Sequence, residues 1–171
     1  MQHIISVLCE NQFGAFNRIV TMFSGKGFNV HSMSIGETEN PEVSRMTIVT
    51  EGDDQIIEQV VKQLNRLIDT IKIIDLTNQA KVQRELALIT VFYQKGTRSE
   101  IMDICEIFRG NIVDINNKTL MLEITGPPDK IDAAINVLEP YGIKELARSG
   151  NVVLKRGEQL GKETKEVKSD K

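Results

Sequence analysis

Two periodicities divide this chain, and the changes from one to the other mark its elements. Ile4-Ile5-Ser6-Val7-Leu8-Cys9 is a short apolar run rich in Ile and Val, the pattern of a buried strand. Beyond Gly14 the apolar positions fall at Phe16, Ile19, Val20 and Phe23, one face of a helix. Gly25-Lys26-Gly27 supplies its C-terminal stop. Asn29 to Ile35 then alternates, with His31, Met33 and Ile35 on one face, and Gly36 to Pro41 is a polar hairpin loop. Ser44 to Thr50 alternates again through Met46 and Ile48. Gly52-Asp53-Asp54 opens a helix with Asp as its N-cap, striped by Ile57, Val60, Val61, Leu64 and Ile68. Ile71 to Leu76 closes this half as a strand.

Thr77-Asn78-Gln79-Ala80-Lys81 is polar, and after it the same order of patterns returns. Glu85 to Phe92 reads as a strand. Thr97-Arg98-Ser99-Glu100 has the capping-box arrangement, in which the Thr and Glu side chains each take a free backbone N–H. Ile101, Ile104, Cys105 and Phe108 share a helix face. Asn111 to Ile115 is a strand, and Asn116-Asn117 is a turn pair that tolerates positive φ. Thr119 to Thr125 alternates, Gly126-Pro127-Pro128 breaks the chain, and Ile131, Ala134, Ile135 and Leu138 stripe a last helix before a strand at Gly142 to Ala147.

The predicted fold class is therefore α+β, with two ferredoxin-like βαββαβ domains over residues 1–77 and 83–150 and a linker at 78–82. Each would lay two helices on one face of a four-stranded antiparallel sheet, its first and third strands central. The second strand, Asn29–Ile35, then lies on an edge with no Pro and few charges. Such an edge is undefended against pairing, so a homodimer through it is expected. From Asn151 the composition changes, and residues 151–171 are expected to form a polar, poorly ordered tail.

Composition narrows the function classes. Over 171 residues, 40% hydrophobic and 26% charged content is that of an ordinary globular chain. A formal net charge of −3 argues against a nucleic-acid binder, which presents a basic face. The sheets also lack the aromatic platform of a single-strand RNA binder. No apolar run reaches the length of a membrane span, and Met1-Gln2-His3 leads straight into the first strand without room for a secretory signal, so the expected compartment is cytoplasmic. Cys9 and Cys105 sit inside apolar patterns and read as buried, reduced thiols. His3 and His31 lie in different strands with no Cys/His cluster at metal-ligand spacing. No phosphate-cradling glycine loop precedes a Lys-Ser/Thr pair. Glu37, Glu39, Glu42, Asp53 and Asp54 read as a solvated acidic face, with a weak divalent-ion site left open. A small binding module is favoured over an enzyme.

The stretch that carries recognition chemistry is Asn11-Gln12-Phe13-Gly14-Ala15-Phe16, between the first strand and the first helix. Gly14 can take a positive φ and leaves space for a ligand. The helix start beyond it presents unpaired N–H groups and a positive dipole end, where a carboxylate can sit. Asn11 can cap the turn, or bind an amino group through its side-chain oxygen. Taken alone, the stretch reads first as a structural strand–helix turn, and His31 as a packed or solvent-touching histidine.

Six segments in order go further: Ile5-Ser6-Val7-Leu8; Glu10-Asn11-Gln12-Phe13-Gly14-Ala15; Phe23-Ser24-Gly25-Lys26-Gly27-Phe28-Asn29-Val30; Ser44-Arg45-Met46-Thr47-Ile48; Ile107-Phe108-Arg109-Gly110-Asn111-Ile112-Val113-Asp114; and Ala147-Arg148-Ser149-Gly150. The N-terminal half resembles the ACT domain, and residues 4–150 together resemble the small regulatory subunit of acetolactate synthase. The resemblance implies a chain without a catalytic site. It would activate a large catalytic subunit that uses thiamine diphosphate, FAD and Mg, and confer feedback inhibition by L-valine or another branched-chain amino acid.

It further implies an effector site at the ACT dimer interface. Asn11, Gly14, Ala15 and Phe16 would come from the first turn, and Asn29, Val30 and His31 from the second strand facing across the dimer. In that site the N–H groups of Gly14 and Ala15 would hold the effector carboxylate, Asn11 and Asn29 its ammonium, and Val30 or its neighbours its side chain. Phe108-Arg109-Gly110 and Arg148-Ser149-Gly150 are candidate contacts with the catalytic subunit. The alternative is a free-standing ACT-type amino-acid sensor with a different client. A thiamine-diphosphate enzyme is the weakest reading: the Gly-Asp-Gly and downstream Asn-Asn pattern is missing, and Gly52-Asp53-Asp54 does not supply it.

Overall fold

The computed structural model describes residues 1–157. Its first unit is β1 (Gln2–Glu10), α1 (Ala15–Lys26), β2 (Asn29–Glu37), β3 (Val43–Glu51), α2 (Asp54–Leu64) and β4 (Thr70–Asp75). These strands form an antiparallel sheet in the order β2-β3-β1-β4, so the two most apolar strands are central and β2 is an edge. Ile5, Val7, Met46 and Ile48 point to the helix side, where Ile19 and Phe23 of α1 and Val60 and Leu64 of α2 close a core. Each fully buried large aliphatic there contributes roughly 1.5–3 kcal/mol of hydrophobic free energy. Two of the predicted caps of this unit form. Asp53 accepts the N–H of Ile56 at 2.8 Å, and Gly27 ends α1 at φ 69°, in the left-handed region.

The second unit is β5 (Lys81–Phe92), α3 (Arg98–Ile107), β6 (Asn111–Ile115), β7 (Thr119–Gly126), α4 (Pro128–Leu138) and β8 (Ile143–Arg148), with sheet order β6-β7-β5-β8. Its core gathers Ile89, Val91, Leu122 and Ile124 under Ile101, Ile131 and Leu138. The α+β duplication is thus observed, twice βαββαβ.

Several local expectations are corrected. The supposed tail does not start at 151: β9 (Val152–Lys155) pairs antiparallel with residues 81–84 of β5, and Val153 is fully buried. The part of that expectation beyond residue 157 lies outside the described residues. The linker is shorter than 78–82, because β5 begins at Lys81 rather than Glu85. Thr97 forms no capping box. Its hydroxyl accepts the N–H of Gln94 at 2.9 Å, and Glu100 instead accepts the Tyr141 hydroxyl. The Asn116 turn needs no positive φ, since its Oδ1 accepts the N–H groups of Lys118 and Thr119. The non-glycine residue with positive φ among those described is Arg109, at 49°. Gly110, which follows it, lies so close to Glu123 O that a Cβ would approach to 2.8 Å.

The face of the first sheet away from its helices is not open. Ser6, Thr47 and Val49 on that face are buried. The chain around Gly150 lies against β2, where an added Cβ would meet Ser32 and Ser34 at 3.6 and 3.8 Å. A cleft of about 580 Å³ remains between the two units, lined in part by His31, Ser32, Gln83, Glu85, Arg148 and Asn151. No helix among the described residues is long and apolar enough to cross a membrane.

Candidate functional site

The first turn is built as a shallow, donor-rich corner. Gly14 is the N-cap of α1 at φ 87°, a conformation that L side chains adopt at a cost of roughly 1–2 kcal/mol. Ala15 is buried beneath it. The N–H of Ala15 is not available for a carboxylate, contrary to expectation, because it donates to Gln12 O at 3.1 Å. The backbone N–H groups of Gly14, Phe16 and Asn17 have no acceptor among the described residues. The anion-binding donors of this helix start are therefore Gly14 and the two residues after Ala15.

Asn11 does not cap α1. Its Nδ2 donates to Pro41 O at 2.9 Å and to Glu37 Oε1 at 3.2 Å, and its backbone N–H donates to Glu42 O at 2.7 Å. Both amide hydrogens are thus engaged by the β2–β3 hairpin, and Oδ1 is left as an acceptor for an ammonium. Phe13 is fully exposed at the tip of the turn and Phe16 is partly exposed. Periodicity could not single out Phe13, because it lies in neither element.

At the other end of β2, Asn29 is exposed, and its carbonyl accepts the Thr50 hydroxyl at 2.6 Å. The Val30 side chain packs on the first core and offers a ligand little surface. His31 is the extra residue of a β-bulge, out of the pairing between Val30 and Ser32, and its Nε2 lies 3.0 Å from Glu51 Oε2. That bulge breaks the simple alternation expected of this strand.

One chain does not bring these two groups together. Asn11 touches Glu37, the last residue of β2, whereas Asn29 is the first. At about 3.4 Å per residue the two ends of this strand are roughly 27 Å apart.

A pair that pattern reading missed supports the turn from behind. Arg18 donates from Nε and Nη2 to the two carboxylate oxygens of Asp69, at 2.5 and 2.7 Å. Asp69 is buried, and its carbonyl accepts the N–H of Glu10 at 2.8 Å, tying the α2–β4 loop to the end of β1. The Arg18 guanidinium beside it holds the Asp69 carboxyl below its usual range. Arg18 Nη1 also lies 3.2 Å from where a Cβ on Gly14 would stand. The signal for this pair was spatial, since 51 residues separate its members.

The remaining candidates have structural surroundings. Arg148 is bound by Glu85 at 2.6 and 2.8 Å and by Asp132 at 2.8 Å, so its charge is compensated inside the chain. Phe108 packs on the second core, while Arg109 is exposed. His3 is buried between Gly52 O and the Thr77 hydroxyl. Cys9 and Cys105 are buried free thiols, and desolvation pushes both upward from their ordinary pKa. Among the described residues no group of three or more His, Cys, Asp or Glu side chains converges as a metal site.

A βαββαβ sheet whose edge strand β2 has no outer partner among the described residues, with a glycine-capped, donor-rich first turn, defines the first unit as an ACT domain. A family model described as "AHAS small subunit-like ACT domain" matches residues 5–72, and one described as "Small subunit of acetolactate synthase" matches residues 84–157. The chain belongs to the acetolactate synthase small-subunit family, the non-catalytic regulatory chains of that enzyme. It is 49% identical to the acetolactate synthase small subunit of Aquifex aeolicus over 166 residues, covering 96% of this chain and 86% of that one. To the small subunit of Bacillus subtilis it is 45% identical over 161 residues, covering 93% of each. The crystal structure of the acetolactate synthase small subunit from Thermotoga maritima is 36% identical and superposes with a TM-score of 0.86, over 93% of this chain and 99% of that one.

Proposed function

We propose that this chain activates the thiamine-diphosphate catalytic subunit of acetolactate synthase and makes it sensitive to feedback inhibition by L-valine or a related branched-chain amino acid. Thiamine diphosphate, FAD and Mg belong to the catalytic partner. The effector site lies between two copies of the chain, and the observation that carries this is the placement of its halves at opposite ends of one unpaired edge strand. Antiparallel pairing of two β2 strands about a twofold axis near Met33, the middle of the strand, sets the partner's β2 start beside Glu37 and Asn11. Each dimer then has two equivalent pockets.

In each pocket the free N–H groups of Gly14, Phe16 and Asn17 take the effector carboxylate. Asn11 Oδ1 and the opposing Asn29 side chain take the ammonium. Phe16 and the exposed Phe13 supply apolar wall, in place of the inward-turned Val30. The opposing His31 and its Glu51 partner stand at the rim. Because the ligand touches both copies, its binding favours one arrangement of the dimer, which is what feedback control requires. The match of the second unit to a small-subunit family model favours this reading over a free-standing sensor. That unit is the proposed contact with the catalytic subunit, with Arg109 as one of its exposed cations. The compartment consistent with this role is the cytoplasm.

The test is acetolactate formation by the catalytic subunit alone, with this chain, and with this chain plus L-valine. Stimulation by the chain and its reversal by valine are expected. A matched catalytic subunit whose rate this chain leaves unchanged would refute the proposal.

A further inference from the structure

Asn151 follows the second βαββαβ unit, yet it is buried against the edge strand of the first. Its backbone carbonyl accepts the Ser34 hydroxyl at 2.5 Å, its Nδ2 donates to Ser32 Oγ at 3.4 Å, and its Oδ1 accepts Gln83 Nε2 at 2.8 Å. Ser32 is the residue directly after the His31 bulge. On the other side the strap is pinned to β5. The N–H of Ser149 donates to Leu86 O at 3.0 Å, and the N–H of Leu86 donates to Ser149 Oγ at 3.1 Å. Arg148 is clamped to Glu85 of β5 and Asp132 of α4, and β9 beyond Asn151 pairs with β5. A shift of β2 must therefore break the serine bonds or pull on β5, the central strand of the second sheet.

We propose that Asn151, held between Ser32/Ser34 and Gln83, is a positioning residue that couples effector binding at β2 to the second domain. This rests on the reading that valine binds against Asn29–His31. The buried amide suits the role: its donor and its acceptor face different units, so it is satisfied only while the two keep one relative placement. The strap thereby makes the two units' arrangements interdependent, and the coupling free energy between two such sites typically corresponds to 5–150-fold in affinity.

The experiment uses the full chain, alone and with its catalytic subunit, and compares wild type with Asn151→Ala, Ser32→Ala, Ser34→Ala and the double variant Asn151→Ala/Ser32→Ala. Three quantities are read: valine binding to the small subunit by calorimetry, stimulation of acetolactate formation, and residual activity at saturating valine. The expected result for Asn151→Ala is valine affinity within about threefold of wild type and retained stimulation, with coupling reduced about fivefold or more, so that saturating valine leaves most of the activity. The double variant should be no worse than its more severe single variant, because the two groups act as one connection. Ser32→Ala and Ser34→Ala each remove one hydroxyl from a half-buried strand and keep the test valid if Asn151→Ala does not fold. Full inhibition at saturating valine in all four variants overturns the proposal. So does joint loss of valine affinity and inhibition, which would make Asn151 a support of the pocket only. Failure of the wild-type chain to bind valine overturns the functional reading itself, and this inference with it.

Discussion

Gly14 has two separate reasons to be glycine. Its φ of 87° disfavours other residues, and a Cβ there would stand 3.2 Å from Arg18 Nη1. Gly14→Asp therefore places a carboxylate where the effector carboxylate would bind and hands it a cation, so the substituent is held in place rather than turned away. We expect valine inhibition to weaken at least about tenfold, or roughly 1.4 kcal/mol, with stimulation of the catalytic subunit largely kept. Valine titrations of the complex check this, and parallel loss of stimulation would contradict the separation of the two roles. The Arg18–Asp69 pair predicts a pH effect. The Asp69 carboxyl is held below its ordinary value chiefly by the Arg18 hydrogen bonds, so its contribution to stability is complete above the unfolded-chain value of about 3.9 and is lost as pH falls through the lowered native value. Asp69→Asn should lower the melting temperature near neutral pH and flatten its decline below about pH 4 relative to wild type. The glycine was identifiable from its place between a strand and a helix. The ion pair was not, because only folding brings Arg18 to Asp69.

Among the elements, β9 was the one that composition concealed. Val152, Val153 and Leu154 form a run too short to show a period, and the Lys/Glu-rich segment that follows dominates the average. Of its partner residues Lys81 to Arg84, the first two fall in the predicted linker of 78–82 for the same reason, since isolated polar strands pair only when a neighbour is present. Val153→Ala should cost about 2 kcal/mol, from lost transfer energy and a residual cavity. Denaturant unfolding would measure it, and a cost below about 0.5 kcal/mol, the range of surface substitutions, would show that β9 is not part of the packed structure. The capping-box motif at Thr97 misled in the opposite direction. The residue types were right, but the hydroxyl found the closer N–H of Gln94 in its own turn. Gly110 shows an element constraint that spacing did not reveal: its missing side chain lets the start of β6 lie against Glu123 O of β7.

For the whole molecule, the proposed site exists only in a dimer, and its affinity should follow the dimer population. Valine binding is expected to weaken when the chain is diluted below its dimer dissociation constant. Ile35→Lys, which puts a charge on the exposed edge strand of each copy where the two would pair, should shift sedimentation towards the 19.2 kDa monomer and reduce valine affinity in step. Valine affinity unchanged in a purely monomeric sample would place the site within one chain and refute the two-copy pocket.

The alternation of apolar positions by itself determined the duplicated βαββαβ order, the central place of the first and third strands and the exposed edge at β2. Those features depend on local period and on which runs are apolar enough to be buried on both sides, and both are properties of sequence neighbours. The glycine turn with its helix start was likewise evident, because backbone donors at a helix end do not depend on distant residues. Only the tertiary structure decided which donors are free, that Asn11 turns its amide hydrogens to the hairpin, and that Arg148 is neutralised by Glu85 and Asp132. It alone placed Asn151 on β2 and put the two halves of the candidate site at opposite ends of one strand. Each of these depends on groups far apart in the chain meeting in space, and the residue pattern carries no record of such meetings.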